Sequence, residues 1–523
     1  MTHSLASIKQ TLVTEIIKRV EDKIIEQTNA DLLVKLINNA ENINEAISIA
    51  MLGTTYKQTG FHFDKQLAKV EAKNEIYYFK KNESLSFKTN NDAITHKLII
   101  GDNFNALTNL LVTYKKRIDT IYIDPPYSKD SMGTFAITNY DNAITRDNLL
   151  SMLYPRLILA KQLLSDNGVI FCSIDDRNQA YVKCLFDEIF KESNTDIMVW
   201  RKSGAGRDGK MKNTQTFRKD HEYIIVGYKE ERKLNKSFEK PQWENEYGNP
   251  DNDPRGGYKA GSISNKEEAS NPDSENYYTV TSPGGKTFTR QFNVSQEAFD
   301  RLNSDNRIYW GRNGDAVPAV KIFVEEERSV STSSLIDYSE MTTTLGAKTL
   351  DDILSGDTLG NEMRPKPVDL IVKLLQIGSA TDSIVLDFFA GSGTTGQAVL
   401  KLNQKDKGNR QFILATLDEK TPFTPGGIVN EITGKRLKRT MTGTCYDGTN
   451  NFKWLENNKP LGGNLDVYDI STVANFEATE GQSPFDVIDE TLYGQPKLDT
   501  NKKIKWVCEN FEGTQKYVAG GTK

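Results

Sequence analysis

The sequence is poor in the residues that most often bind metals or act as nucleophiles. Its 523 residues include four cysteines and four histidines, and no two cysteines stand in a C-x-x-C pair. A zinc cluster is therefore not expected, and no motif supports a serine–histidine or cysteine–histidine nucleophile. We predict a protein without a bound metal.

Long apolar runs are also missing from the chain. No window approaches the ~18 consecutive apolar residues that a membrane-spanning helix needs, and the first twenty residues lack the apolar core of a signal peptide. These absences predict a soluble, cytoplasmic protein with no membrane partner. A hydrophobic content of 37% is sufficient for a large core divided among several domains.

Positive charge is not in excess overall, but it is concentrated in one segment. The net charge of −5 argues against a uniformly basic surface for nucleic acid. Residues 198–219 nevertheless contain seven basic residues and one acid, a composition that suits a loop in contact with DNA phosphates. A solvated loop is the alternative. The DNA contacts predicted here are Arg201, Lys202, Arg207, Lys210, Lys212 and Arg218.

The apolar pattern divides the chain into five regions. Residues 1–94 begin with apolar residues that recur every four positions, as in amphipathic helices. Strands alternate with helices over residues 95–200 and 346–420, which predicts one parallel sheet built from two sequence blocks. Residues 201–345 are polar and glycine-rich and predict an inserted domain, whereas residues 421–523 form a mixed C-terminal region.

A glycine-rich turn stands between a strand and a helix in the second block. In "VLDFFAGSGTTGQAVL", Gly391, Gly393 and Gly396 follow the strand and precede the helix. Glycines allow a tight turn and a close approach to a ligand, and the helix N-terminus offers free amide donors. Gln397 stands where an NTPase loop would need lysine, so an NTPase is disfavoured. The spacing also fits a dinucleotide, and a second motif decides between these ligands.

The second motif is "DTIYIDPPY", in which a strand ends on an acid, two prolines and a tyrosine. Pro125 and Pro126 lack amide hydrogens and fix the turn. Asp124 can accept an N–H of the exocyclic amine of a base, and a backbone carbonyl of the turn can accept the other. Tyr127 can stack on that base for about 1–3 kcal/mol, comparable to the cost of extracting it from a duplex. These residues predict a pocket for one flipped base.

"DPPY" and "DFFAGSGTTG" together resemble the motifs of the amino-group DNA methyltransferases that use S-adenosylmethionine. The tetrapeptide precedes the glycine loop, as in the β class of that family, where its aspartate form goes mostly with adenine N6. "GDNFNALTNLL", "RPKPVDLIVKLLQI" and "GNRQFILATLDE" are most similar to segments of the modification (Mod) subunit of type III restriction-modification systems. The resemblance covers the two sheet-forming blocks well and the insert and tail only loosely.

The resemblance implies an α/β fold: a Rossmann-like methyltransferase sheet with an inserted target-recognition domain and N-terminal helices. It implies methyl transfer from S-adenosylmethionine to adenine N6 of double-stranded DNA, without a covalent enzyme intermediate. A homodimer and a restriction (Res) subunit are the implied protein partners. A solitary adenine or N4-cytosine DNA methyltransferase and a catalytically idle DNA-recognition subunit are the alternatives.

The same resemblance assigns roles to individual residues. It implies a catalytic pocket formed by Asp124, Pro125, Pro126 and Tyr127. The implied cofactor-binding residues are Asp102, Lys366, Pro367, Asp387, Phe389, Gly391, Gly393 and Asp418. Two of these positions carry alternatives. Asp102 is also placed to cap the following helix. Thr416 stands where many relatives have an acid for the cofactor's ribose, and Asp418 follows two positions later, so both are candidates for the ribose contact.

Overall fold

A computed structural model gives the structure of most of the chain. The described residues are 5–21, 27–52, 75–126, 146–203, 217, 219–231, 233–239, 247–323, 328–337, 341–355, 363–474 and 483–511. Tyr127 and four of the predicted DNA contacts, Arg207, Lys210, Lys212 and Arg218, lie outside these residues. Within them, no helix combines the length and the apolar character that crossing a membrane requires.

Strands and helices are numbered separately in chain order. The strands are β1 (Glu75–Lys81), β2 (Thr95–Ile100), β3 (Ile118–Ile123), β4 (Leu164–Ile174), β5 (Thr195–Arg201), β6 (His221–Tyr228), β7 (Ser237–Glu239), β8 (Tyr258–Ser262), β9 (Tyr277–Thr281), β10 (Thr287–Gln291), β11 (Ile308–Tyr309), β12 (Ala319–Phe323), β13 (Arg328–Val330), β14 (Leu335–Ile336), β15 (Ile384–Asp387), β16 (Gln411–Thr416) and β17 (Asn464–Ala474). The helices are α1 (Leu5–Glu21), α2 (Gln27–Asn39), α3 (Ile43–Leu52), α4 (Asn103–Tyr114), α5 (Arg146–Leu163), α6 (Gln179–Phe190), α7 (Gln296–Ser304), α8 (Thr343–Leu354), α9 (Val368–Gly378), α10 (Thr394–Asp406), α11 (Gly434–Thr442), α12 (Pro484–Val487) and α13 (Thr500–Asn510).

A ten-stranded sheet of order β1-β17-β2-β16-β15-β3-β4-β6-β5-β14 forms the centre of the fold. The six strands from β17 to β4 in this order all run parallel to one another. β1 is antiparallel to β17, and β6 is antiparallel to both β4 and β5. The predicted parallel sheet therefore forms the middle of a mixed sheet.

Side chains of the central strands alternate between two apolar layers. Ile121 and Ile123 of β3 pack in one core cluster with residues of α4, α5 and α6, whereas Tyr122 packs in a second cluster with residues of α9 and α10. Because helices cover both faces, the strands read as nearly continuous apolar runs. This three-layer arrangement confirms the predicted fold class.

The sheet extends beyond the two sequence blocks predicted to form it. β6 lies between β4 and β5, and β14 pairs with β5 at the edge, although both fall within residues 201–345. β17, from the C-terminal region, lies between β1 and β2. The sheet thus includes strands from outside the two predicted blocks, because backbone pairing joins segments that are distant in sequence.

The N-terminal helices and the inserted residues have apolar cores of their own. Ile16 of α1 packs with Leu33 and Ile37 of α2 in a small cluster. Within the insert, β8, β11 and β12 form a three-stranded sheet, and the neighbouring cluster includes the buried side chains of Phe292 and Trp310. Each region can therefore bury apolar surface within itself.

A buried tyrosine attaches the C-terminal segment to the sheet. The Tyr493 hydroxyl accepts a hydrogen bond from the backbone N–H of Phe79 at 2.8 Å and donates one to Oδ1 of Asn109 at 2.6 Å. Its ring stacks on that of Phe79 with centroids 5.2 Å apart. Because Tyr493 is only 1% exposed, water has little access to these bonds.

We predict that Tyr493→Phe lowers the free energy of unfolding by about 1–3 kcal/mol, because it leaves two buried polar groups without a partner. Urea denaturation followed by circular dichroism measures this change. Tyr446→Phe is the matched control. The Tyr446 hydroxyl donates to the Leu85 carbonyl at 2.9 Å, but that tyrosine is 39% exposed, so water can replace the bond. Equal losses in the two variants would contradict the buried attachment.

Candidate active site

Four acids predicted to form the site lie at one edge of the sheet. The strands β2, β16, β15 and β3 are consecutive parallel neighbours, so their carboxyl ends share an edge. Asp102, Asp418 and Asp124 follow three of these strands closely, and Asp387 ends the fourth. In open α/β sheets, ligands bind outside the carboxyl ends of the strands. The edge is therefore the candidate active site.

Asp124 directly follows β3 and is bound by a lysine. Both of its carboxylate oxygens accept hydrogen bonds from the ammonium group of Lys366, at 2.9 and 3.0 Å. Pro125 is buried and Pro126 is half-buried, so the rigid turn is packed into the protein. The Asp124 side chain remains 30% exposed and is thus partly open to solvent.

Lys366 lies in a chain of four alternating charges. Its Nζ atom is 3.3 Å from the buried carboxylate of Glu222, whose other oxygen accepts a hydrogen bond from Lys202 at 3.1 Å. Burial alone would lower the pKa of Lys366, but Asp124 and Glu222 together raise it above its usual value. Burial likewise favours protonation of Glu222, yet the two lysines hold its pKa below its usual value. Lys366 and Glu222 are therefore both charged at neutral pH.

The lysine and proline predicted to contact the cofactor lie at the start of α9. Lys366 is 8% exposed, and its ammonium group is held between Asp124 and Glu222. Pro367 is buried and immediately precedes the first helical residue. The structure thus gives Lys366 a contact with the predicted catalytic acid, which its sequence motif did not indicate. The cofactor contact of both residues stays a prediction.

Two of the residues predicted to contact DNA lie in the described part of the chain, and each donates a hydrogen bond to an acidic side chain. Lys202 donates to Glu222, and Nη1 of Arg201 donates to Asp337 at 2.7 Å. The Lys202 side chain is 22% exposed, whereas that of Arg201 is 37% exposed. Lys202 therefore belongs to the chain of four charges around Lys366, and Arg201 is the more accessible of the two. Contact with DNA stays a prediction for both residues.

Asp387 fixes the glycine turn that follows β15. Its buried carboxylate accepts hydrogen bonds from the backbone N–H of Phe389 at 2.9 Å and from the hydroxyl of Thr395 at 2.5 Å. Gly391 and Gly393 have φ angles of +46° and +78°, which glycine adopts without strain. Burial raises the pKa of Asp387 to about 7. The acid thus joins the start of the turn to the first turn of α10.

Asp102 caps α4, as one of the two sequence interpretations proposed. Its carboxylate accepts hydrogen bonds from the backbone N–H of Phe104 at 2.9 Å and from Nη2 of Arg156 at 3.0 Å. The neighbouring Asn103 donates to the carbonyl of Phe388 at 2.8 Å, which links this helix to the glycine turn. A contact between Asp102 and the adenine end of the cofactor stays a prediction.

The two candidates for the ribose contact differ in their surroundings. Thr416 is buried at the end of β16, and its carbonyl accepts a hydrogen bond from Gly101 at 3.0 Å. Asp418 is half-buried and accepts hydrogen bonds from the backbone N–H of Val429 at 2.8 Å and from Asn430 at 3.3 Å. Both bonds to Asp418 come from the segment leading into α11. Which residue holds the ribose stays open.

Sequence patterns missed three residues that organise this edge. Glu222 contacts Lys366, Arg156 contacts Asp102, and Asn103 contacts the glycine turn. A usable signal existed for Glu222, because a charged residue interrupts the apolar strand "HEYIIVGY". Arg156 lies in a helix that carries other basic residues, so its sequence context does not distinguish it.

The arrangement is suited to chemistry on an amine close to a nucleotide-like ligand. It combines a carboxylate acceptor with a glycine turn on the adjacent strand, and a family model described as DNA methylase matches residues 118–421, more than half of the chain. The chain belongs to the DNA methylase family. A second model, described only as an uncharacterised conserved protein, matches residues 8–120 of this methylase.

Three known proteins show how similar this methylase is to individual relatives. The Mod subunit of the type III restriction-modification enzyme StyLTI from Salmonella typhimurium is 30% identical over 74% of this chain and 64% of that protein. The chain therefore spans less than two thirds of the length of that relative. The type II methyltransferase M.KpnI from Klebsiella pneumoniae is 28% identical over 66% of this chain and 88% of that protein. The solved complex of M1.HpyAVI with SAM is 15% identical, with a TM-score of 0.31, over 64% of this chain and 98% of that chain.

We predict that Asp387 contributes stability that is lost as the pH rises from about 4 to about 7, and that Asp387→Asn removes this contribution from the pH dependence of the wild-type methylase. The folded protein keeps a proton on Asp387, whose pKa is raised to about 7, whereas the unfolded chain releases it near the usual value. The stabilising contribution is complete below the unfolded pKa and is lost as the pH passes through the folded pKa. Thermal unfolding midpoints at pH 5 and pH 8 measure the effect.

Asp382→Asn is the control for this experiment, because Asp382 is exposed and lies just before the same strand. We expect that variant to follow the pH dependence of the wild-type protein. A pH dependence of Asp387→Asn parallel to that of the wild-type protein would show that Asp387 does not retain its proton.

Proposed function

We propose that this methylase transfers a methyl group from S-adenosylmethionine to the N6 amine of an adenine in double-stranded DNA. The observation that carries the proposal is the adjacency of two strands. β3 is directly followed by Asp124 and pairs with β15, which leads into the glycine turn. The acceptor for the amine and the site for the methyl donor therefore lie side by side. S-adenosylmethionine supplies, when bound, the methyl group on its sulfonium sulfur.

Asp124 orients and polarises the amine. The nitrogen lone pair of an exocyclic amine is delocalised into the base, so the amine is a poor nucleophile. A carboxylate that accepts one N–H bond shifts electron density toward nitrogen and fixes its direction. Lys366 holds both oxygens of this carboxylate, so the acceptor is preorganised before the base arrives. Positioning and electrostatics then carry the rate without a covalent enzyme intermediate.

The turn that follows Asp124 forms the rest of the base pocket. Pro125 and Pro126 present backbone carbonyls and no N–H donors, so one carbonyl can accept the second N–H of the amine. Tyr127 is proposed to stack on the base after it is flipped out of the duplex. The aspartate form of this motif supports adenine rather than cytosine as the target.

We further infer that the chain acts as the Mod subunit of a type III restriction-modification system. The similarity to the StyLTI Mod subunit over 74% of the chain supports this reading. The insert would select the DNA sequence, and Arg201, Lys202, Arg207, Lys210, Lys212 and Arg218 would contact phosphates. A homodimer and a Res subunit are the proposed protein partners.

A solitary DNA methyltransferase is the second candidate function. The match to M.KpnI covers 88% of that type II enzyme and supports this possibility. Both candidates share the same chemistry and differ only in the presence of a restriction subunit. Co-purification of a Res subunit from the native host distinguishes them, because a solitary enzyme would purify without one and remain fully active.

Asp124→Ala tests the proposed chemistry. We expect the variant to lose methyl transfer by at least about a hundredfold while retaining binding of S-adenosylmethionine, because the amine loses its acceptor. The protein is incubated with unmethylated genomic DNA and methyl-labelled S-adenosylmethionine, and the labelled nucleoside is identified by mass spectrometry. The wild-type protein should label N6-methyladenine.

Asp166→Ala is the matched control for this variant. Asp166 lies at the amino end of β4, away from the proposed site, and is 63% exposed with Lys116 as its partner at 3.0 Å. We expect full activity from it. For the wild-type protein, label in N4-methylcytosine would overturn the adenine assignment. Binding of cofactor and DNA by the wild-type protein without any methyl transfer would favour the idle recognition subunit.

Glu222→Gln tests whether the charge chain serves catalysis. The substitution removes one of the two carboxylates that fix the ammonium of Lys366, so the Asp124 carboxylate is no longer held in one position. We expect kcat for methyl transfer to fall by up to about a hundredfold, with little change in the KM for S-adenosylmethionine. Steady-state kinetics over a range of cofactor concentrations separates these two constants.

Glu230→Gln provides the comparison, because Glu230 is exposed just beyond the opposite end of β6. Its kinetic constants should match those of the wild-type protein. An increase in KM for the cofactor with unchanged kcat in Glu222→Gln would instead mean that Lys366 serves the cofactor and not Asp124.

A further inference from the structure

A buried arginine lies directly against the glycine turn. Arg436 of α11 is 0% exposed. Its Nη1 atom donates hydrogen bonds to the carbonyl and hydroxyl of Ser392, at 3.3 and 3.0 Å, and to the hydroxyl of Thr394 at 2.8 Å. Its Nε atom donates to Gln397 at 2.9 Å. The guanidinium group thus contacts both the turn and the first residues of α10.

Close packing holds α11 against this turn. A Cβ atom on Gly396 would lie 2.8 Å from the side chain of Leu437, so the glycine permits the close approach of α10 and α11. Thr433, just before α11, donates a hydrogen bond to the carbonyl of Gly391. These contacts therefore hold Arg436 in a fixed position relative to the turn.

The charge of Arg436 is not neutralised within the described chain. Among the described residues, all its hydrogen-bond acceptors are neutral oxygens, and its Nη2 atom is buried without an acceptor. Burial lowers the pKa of Arg436 to about 9, which still leaves it charged at neutral pH. Burying an ion without a counter-ion is strongly unfavourable. A compensating anion from outside the described chain would remove this penalty.

Neighbouring groups add to the positive potential at the same place. The amino end of α10 begins at Thr394 and carries the positive end of the helix dipole. Asp387 is the nearest acid along the turn, but it is committed to Thr395 and Phe389, and burial favours its neutral form. An anionic group bound in the glycine turn would therefore meet both a helix N-terminus and a buried cation.

We propose that Arg436 is a positioning residue that supplies the positive charge for the carboxylate of the cofactor's methionine moiety. This inference rests on the proposed use of S-adenosylmethionine. The carboxylate is the one anionic group of that molecule, whose sulfonium and amino groups are cationic. Arg436 acts through Ser392 and Thr394, which it holds in place, and does not touch the reacting atoms.

Decarboxylated S-adenosylmethionine is the probe that isolates this effect, because it lacks only the carboxylate. Dissociation constants for both compounds are measured by calorimetry with the full-length wild-type protein, with Arg436→Met and with Arg436→Lys. We expect the wild-type protein to prefer S-adenosylmethionine by about tenfold or more, as for a charge-assisted contact. Arg436→Met should lose most of this preference, and Arg436→Lys should retain part of it.

Arg410→Met is the matched control. Arg410 is also buried, but it lies beyond the opposite end of α10 and is neutralised by Asp406 at 2.8 Å. We expect this variant to have a lower thermal unfolding midpoint and an unchanged preference between the two compounds. A merely structural arginine would behave in this way, so the ratio of the two dissociation constants separates the roles.

The possible failures are distinguishable from one another. If Arg436→Met leaves the ratio of the two dissociation constants unchanged, even when it weakens the binding of both compounds, the role of Arg436 is overturned. If that variant does not fold, a wild-type protein that binds both compounds equally would overturn the role as well. A wild-type protein that binds neither compound would refute the proposed use of the cofactor, on which this inference rests.

Discussion

The ammonium of Lys366 is the contact on which the candidate active site depends. It lies between the carboxylates of Asp124 and Glu222 and so joins three segments that are distant in the chain. Removing one partner from a buried ion pair costs several kcal/mol, because the other charge is left uncompensated. The end of β3, the start of β6 and the start of α9 are therefore constrained together. This constraint and the rigid Pro-Pro turn together fix the position of Asp124.

The sequence predicted the parts of the site that depend on local backbone geometry. A strand that ends just before Asp124 and the two prolines appears where its pattern indicated it, and so does a strand that leads into Gly391 and Gly393. The partners of these parts could not be predicted, because hydrogen bonds between side chains far apart in sequence leave no periodic signal. Arg156 and Arg436 are of this kind, and each becomes recognisable only when a second segment is placed beside it.

The middle of the sheet was predictable from the sequence, whereas its margins were not. Alternation of apolar strands and helices correctly indicated the parallel middle of the sheet, where helices cover both faces. It did not indicate that β17 lies between β1 and β2, or that β6 separates β4 from β5. Strands at the margins of a sheet are chosen by long-range backbone pairing, for which the apolar pattern of a single segment carries little information.

The point at which the insert rejoins the sheet has a consequence for how such proteins diversify. The chain leaves the sheet at the end of β6 and returns at β14, which among the described residues pairs with β5 alone, at the margin. The strands β3, β15 and β16, at whose ends Asp124, Asp387 and Asp418 stand, lie on the other side of β4. Genetic exchange or lengthening of the intervening segment would therefore leave their pairing intact. Under the proposed role of the insert in selecting the DNA sequence, new sequence preferences would arise in this way while the proposed chemistry is inherited unchanged.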